Sequence, residues 1–248
     1  MKVTIFTVIV ILVNTLVTIH CNNTYILHLS WLPTHCYSRE CAIPVHQKFI
    51  ISRLRGAPFI NWLDGDCRGS SLFNEEELEA VPELSTYWPD ATGFGLLYES
   101  LITHYGRCAT INGSAMTPIQ YFQKGIDLFK SIESRLNEIE SSLSVQMDSN
   151  QNHNIYRHLN GNISSEVKLI CANNWVDDHF LHELVICFNE ASAVTDCGDE
   201  YKSDLDNPFQ LLDLMDSNGE PEEIKKQVEC QSNFTIPPIT TTTQSTEA

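Results

Sequence analysis

Basic residues are scarce in this sequence. Lys plus Arg total 15 against 32 Asp plus Glu, a formal net charge of -17 over 248 residues. A surface so negative repels phosphate. It disfavours an ordinary duplex DNA or RNA binder and rules out a cationic membrane-lytic protein. No C-x-x-C spacing occurs among the nine cysteines, which argues against a structural zinc site. After one N-terminal apolar run no second hydrophobic span follows, and no internal repeat is visible. What is present is an ordinary globular composition, 42% apolar and 19% charged. The length suits one large domain or two small ones, with room for a real core.

The N-terminus sets the expected compartment. Lys2 precedes a run from Val3 to Ile19 that is apolar except for Thr4, Thr7, Asn14, Thr15 and Thr18, and polar sequence resumes at His20. This reads as a secretory signal peptide over residues 1–21, with cleavage near His20–Cys21. The alternative is an uncleaved anchor, since the run approaches the lower limit of a membrane span. Secretion agrees with four N-x-S/T sequons, at Asn22, Asn112, Asn162 and Asn233. It also makes disulfides the natural use of the cysteines. If Cys21 leaves with the leader, eight remain, enough for four bridges among 105 formal pairings. If it stays, one thiol is left over.

Several elements are legible from periodicity. Tyr25, Leu27, Leu29 and Trp31 alternate, which predicts a strand with one buried face. Lys48 to Leu54 predicts a second strand, and Leu63 to Ser71 a turn-rich loop. Asn74 is placed to cap a helix through EEELEAVPEL, with Pro82 interrupting it or lying near its end. The acidic run Glu75 to Glu77 fits a helix start better than a calcium site. Phe94 to Tyr105 reads as helical. The clearest helix begins at Thr117–Pro118. Its apolar stripe runs through Tyr121, Phe122, Ile126, Phe129, Ile132, Leu136, Ile139 and Leu143 and is read as core-facing rather than partner-binding. Asp148 to Asn162 is a polar loop. Val167 to Cys171 and Leu181 to Phe188 read as strands, and Asp204 to Asp216 as a short acidic helix or loop. Residues 234–248 form a Pro/Thr-rich tail of disordered composition. His28, His35, His46, His153, His158, His179 and His182 have no metal-ligand spacing and read as ordinary surface or sheet residues, so no cofactor is implied. The Trp and Tyr residues read as core rather than base-stacking sites.

Placed in order, these segments resemble the secreted ribonucleases of the T2 family over roughly Tyr25 to Cys230. Leu29-Ser-Trp-Leu-Pro-Thr-His-Cys36 is similar to the opening strand and its Trp-Pro-Cys segment. Phe49-Ile-Ile-Ser-Arg-Leu-Arg-Gly56 resembles the first active-site segment, F-x-I-H-G-L-W-P. Leu97-Tyr-Glu-Ser-Leu-Ile-Thr-His-Tyr-Gly-Arg-Cys108 resembles the second, x-W-x-H-E-W-x-K-H-G-x-C. Tyr87-Trp-Pro89, Tyr121-Phe122 with Ile126-Asp-Leu128, Leu181-His-Glu-Leu-Val-Ile-Cys187 and Thr195-Asp-Cys197 resemble later motifs. The resemblance implies an α+β fold, an antiparallel sheet with surrounding helices, spanning residues 22–233. It also implies the pairs Cys36–Cys41, Cys67–Cys108, Cys171–Cys230 and Cys187–Cys197.

Members of this family cleave RNA through the 2′-hydroxyl, with one His as base and another as acid, helped by a Glu and a Lys. In this sequence Ser52 stands at the first-segment His position. Ser100, Leu101, His104 and Tyr105 stand at the His, Glu, Lys and second His positions. A Ser hydroxyl is no base near neutrality without activation, a phenol titrates near about 10, and Leu does neither. Acid–base groups contribute about 10²–10⁴ each. No catalytic residue is therefore expected. The expectation is a secreted, glycosylated, disarmed relative acting through its surface, with lectins or antibodies that read N-glycans as partners. It would not bind duplex nucleic acid, and would have no membrane association once the leader is removed. The alternatives are a weak ribonuclease using His104 and an RNA-binding decoy.

Overall fold

The computed structural model describes residues 25–37, 41–56, 73–91, 93, 97–106, 109–111, 114–147, 167–173, 179–198 and 227–230. Its centre is an antiparallel sheet. Strand β1 (Tyr25–Trp31) lies between β2 (Phe49–Gly56) and β6 (His179–Phe188). Beyond β6 come β5 (Val167–Asn173) and β8 (Gln227–Glu229), in the order β2-β1-β6-β5-β8. The two-residue strand β7 (Val194–Thr195) also pairs with β6, and β3 (Thr110–Ile111) with β4 (Ser114–Ala115) forms a separate hairpin. This is the α+β architecture expected.

One helix covers the sheet. Helix α4 (Pro118–Met147) packs on β1 and β2. Its start is a reciprocal capping box. Thr117 Oγ1 accepts from the Gln120 N–H at 3.3 Å, and Gln120 Oε1 accepts from the Thr117 N–H at 2.9 Å. The whole predicted stripe, Tyr121 to Leu143, is buried against Leu27, Leu29, Trp31 and Ile51. Trp88 and Tyr121 sit inside this cluster, and a Cβ on Gly125 would fall 2.5 Å from the Trp88 ring, so α4 needs glycine there.

Two expectations need correction. Strand β1 is buried on both faces, not one. Its second face carries Ile26, which packs with Ile170, Val185 and the Cys187–Cys197 bridge. A central strand roofed on both sides has no solvent face to keep polar. The EEELEAVPEL segment is not one helix. It forms a 3-10 turn, Glu75–Ala80, and after Pro82 a one-turn helix α2 (Leu84–Tyr87), with Glu83 between them at φ 63°. Pro82 offers no N–H to continue a helical ladder. Asn74 does cap the turn, accepting from the Glu76 N–H at 3.1 Å.

Three of the four implied disulfides are present, Cys36–Cys41, Cys171–Cys230 and Cys187–Cys197. Cys67 and Cys108 lie outside the described residues. So do residues 1–21 and 234–248, the four sequon asparagines, the loops predicted at 63–71 and 148–162, and the 204–216 segment. A short helix, α1 (Leu32–His35), follows β1, and α3 (Leu97–His104) lies within the stretch expected to be helical.

Candidate functional site

The two segments expected to carry the chemistry are β2 and α3. Along β1 and β2, His28 pairs with Arg53 and Leu29 with Ile51, so Ser52 is the extra residue of a β-bulge. Along β5 and β6, Ile170 pairs with Glu183 and Cys171 with Leu181, which makes His182 the extra residue of a second bulge. Bulges re-aim side chains and are common beside active sites. Here they converge on one carboxylate, on the sheet face away from α4.

That carboxylate is Glu183, 2% exposed, beside Arg53 at 2% and His28 at 1%. Arg53 Nη1 donates to Glu183 Oε1 at 3.3 Å and Nη2 to Oε2 at 3.0 Å, a two-pronged contact. His28 Nδ1 lies 3.2 Å from Glu183 Oε2 and 3.0 Å from Arg53 Nη2. The ring nitrogen serves one partner at a time. With its proton it donates to Glu183, and without it accepts from Arg53. Burial alone would raise the Glu183 pKa. The Arg53 charge and the His28 hydrogen bond outweigh it and hold the carboxyl well below its ordinary range.

Ser52 completes the cluster. Its half-buried hydroxyl is 3.1 Å from the His28 carbonyl oxygen and 3.3 Å from Glu183 Oε1, with one proton to donate between them. A carboxylate held this acidic is a weak base and does not activate the hydroxyl as a nucleophile.

The helical half is different. Leu101 is 3% exposed and belongs to the main core, as does Ile102. Ser100 and His104 are half-buried on α3. Tyr105, just past the helix, packs partly against the same core, with its ring 6.4 Å from that of His104. Tyr121 of α4 ties the two halves together. Its hydroxyl donates to the Leu54 carbonyl at 2.7 Å and accepts from the Leu54 N–H at 3.2 Å, which occupies the outer edge of β2. The same ring lies against Gly106, where a Cβ would come within 3.5 Å of it. Burial raises the Tyr121 phenol far above its ordinary value, and the Leu54 hydrogen bond offsets this only in part. Around Tyr121, then, the end of α3 meets β2.

Ser52 thus lies on β2, Ser100, Leu101 and His104 lie on α3, and Tyr105 lies just past it. The motifs did not single out His28, Arg53 or Glu183; His28 is a sheet residue, as one of its two readings had it, and it is buried in the ion cluster. The available signal was an Arg and a Glu embedded in apolar strands, F-I-I-S-R-L and L-H-E-L-V-I. Such charges are buried only when paired. Among the described residues no group of three or more His, Cys, Asp or Glu side chains is placed to hold a metal ion.

The sequence pattern described as the ribonuclease T2 family matches residues 22–197, and the chain belongs to that family. No curated protein sequence matches it significantly. Among solved structures it is similar to human RNase T2, at 15% identity and a TM-score of 0.58, covering 88% of this chain and 98% of that one. RNase NT, solved in complex with 5'-AMP, is similar at 15% identity and a TM-score of 0.55, covering 88% and 100%. Japanese pear S3-RNase is similar at 16% identity and 0.51, covering 84% and 100%. At these identities the likeness is one of fold.

Proposed function

We propose that this protein is a secreted, N-glycosylated ribonuclease T2-like pseudoenzyme. It acts as a binding, antigenic or immunomodulatory glycoprotein rather than by cutting RNA. The observation that carries this reading is the state of position 52. A serine stands there with its hydroxyl turned to Glu183, whose carboxyl is too acidic to serve as its base. Leu101 supports it from the other segment, since a core leucine neither binds phosphate nor moves a proton. Charge adds to it. An open groove between the 3-10 turn, α2 and α3 is edged by Glu76, Glu79 and Glu83, which disfavours a phosphodiester chain. The pattern of lost histidines, several sequons and a Thr-rich tail resembles the kappa-class secreted egg glycoproteins of parasitic flukes. Host lectins or antibodies that read the N-glycans are the proposed partners.

The first test is RNA cleavage by the purified secreted protein across pH 4–8, beside an active family member. The reading expects no cleavage above background. Clear turnover by the natural chain would sink it. Binding is tested separately, by removing the N-glycans enzymatically. Receptor binding should fall, and unchanged binding would reject the glycan-borne role. The alternative, a weak endoribonuclease, draws on His104, the imidazole retained in the second segment. Any genuine activity of that kind should vanish in His104→Ala.

A further inference from the structure

We infer that Arg53 is a second, independent block to phosphodiester cleavage, because it holds the carboxylate that would orient a base at position 52. The inference rests on the pseudoenzyme reading and deepens it: the site is closed by a residue gained as well as by histidines lost.

The geometry is local. Ser52 Oγ stands 3.3 Å from Glu183 Oε1, so a side chain leaving the bulge at position 52 begins within reach of this carboxylate. An imidazole working as a base needs such a partner. The partner fixes the tautomer and stabilises the ring once it has taken a proton. Arg53 competes for that partner. It engages both Glu183 oxygens, and His28 occupies Oε2 as well. Ser52 meets Oε1, an oxygen that Arg53 Nη1 already engages, so a base at position 52 would have to share it with the guanidinium. Arg53 also brings a fixed positive charge into a buried setting one residue from position 52. A like charge disfavours the protonated imidazole that general-base catalysis must form. In the F-x-I-H-G-L-W-P pattern a glycine follows the histidine. It has no side chain, so it would leave Glu183 to the preceding residue.

The test uses the full-length, disulfide-intact secreted protein. One variant carries Ser52→His, Ser100→His and Tyr105→His with Arg53 kept. A second adds Arg53→Gly. Leu101 is left alone because it is part of the core. A third uses Arg53→Met, which keeps side-chain bulk without charge and serves where the glycine variant does not fold. RNA cleavage is read across pH 4–8, and the imidazole introduced at position 52 is titrated by NMR. With Arg53 present, cleavage should stay at the natural chain's background. Removing it should raise cleavage at least ~100-fold, and the introduced imidazole should titrate at a higher pH. Equal cleavage with and without Arg53 would overturn the inference. So would an imidazole that titrates at the same pH in both, whatever the cleavage rate. Cleavage by the natural chain is a different outcome, and it strikes the pseudoenzyme reading instead.

Discussion

The strand half and the helix half of this site are built in opposite ways. On β2 position 52 is polar. Ser52 joins a buried network of Arg53, Glu183 and His28, and its hydroxyl serves structure. On α3 position 101 is apolar, and Leu101 belongs to the core beneath α4. The first arrangement leaves charges that must stay matched. The second leaves packing that must stay filled. One scaffold can thus be consolidated either by pairing its polar groups or by packing apolar ones, and the two routes fail differently when disturbed.

The largest expected effect lies in the helix half. Leu101→Glu removes a packed leucine and buries a carboxylate with no partner provided. Loss of the leucine alone costs about 2–5 kcal/mol, and the buried charge adds to it. The variant should be recovered poorly or melt far below the natural protein. A melting temperature within a few degrees of the natural one would show that α3 opens to solvent easily and that Leu101 is not core.

The strand half should respond next, and with a distinctive pattern. Arg53→Ala strands the Glu183 carboxylate and is expected to cost about 3–5 kcal/mol. Replacing both partners, Arg53→Met with Glu183→Leu, should recover most of that loss, because a buried ion pair contributes little over an apolar pair of similar volume. Chemical denaturation of Arg53→Met, Glu183→Leu and the double variant gives the coupling directly. If the double variant is worse than the sum of the singles, the two halves do not differ as described.

Acid separates the halves further. The Glu183 carboxyl is held below its ordinary value near 4.5, so the unfolded chain takes up this proton more readily than the folded one. The stabilisation is fully present above the unfolded pKa and is lost as pH falls from there toward the folded value. Melting curves between pH 2 and 7 should therefore drop faster for the natural chain than for Glu183→Gln below about pH 4.5. Parallel curves would show that the cluster is not what acid breaks. Leu101 has no corresponding pH dependence.

Much of this was legible beforehand for reasons that are local. The α4 stripe follows from 3.6-residue periodicity, and its start from the Thr117–Pro118 pair. Three cysteine pairs followed from the family resemblance and were found as expected. The ion cluster was not legible, because it joins residues 28, 53 and 183, and only strand register brings them together. A one-residue slip on either side of β1 would turn the partners to the other face. The bulges at Ser52 and His182 set that register, and a bulge leaves no period-2 signature to read. The second buried face of β1 was hidden for a related reason: His28 and Ser30 look like solvent-facing positions until their register partners on the flanking strands, Arg53 and Glu183, are seen to be buried as well.

The smallest effect tests whether Ser52 still matters at all. Its hydroxyl has one proton and two acceptors, the His28 carbonyl and Glu183 Oε1, so it makes one hydrogen bond at a time. Ser52→Ala removes a half-buried donor but leaves Arg53 and His28 on the carboxylate. The loss should be about 1 kcal/mol, in the range of a single hydrogen bond. At this chain length that corresponds to a fall of roughly 2–4 °C in Tm. If the loss comes from Glu183, it should shrink in the Glu183→Leu background, where only the carbonyl remains as acceptor. If it comes from the carbonyl, the Ser52→Ala effect should be the same in both backgrounds. The first result would place Ser52 inside the ion cluster, and the second would make it a filler of the β2 bulge that the cluster happens to adjoin.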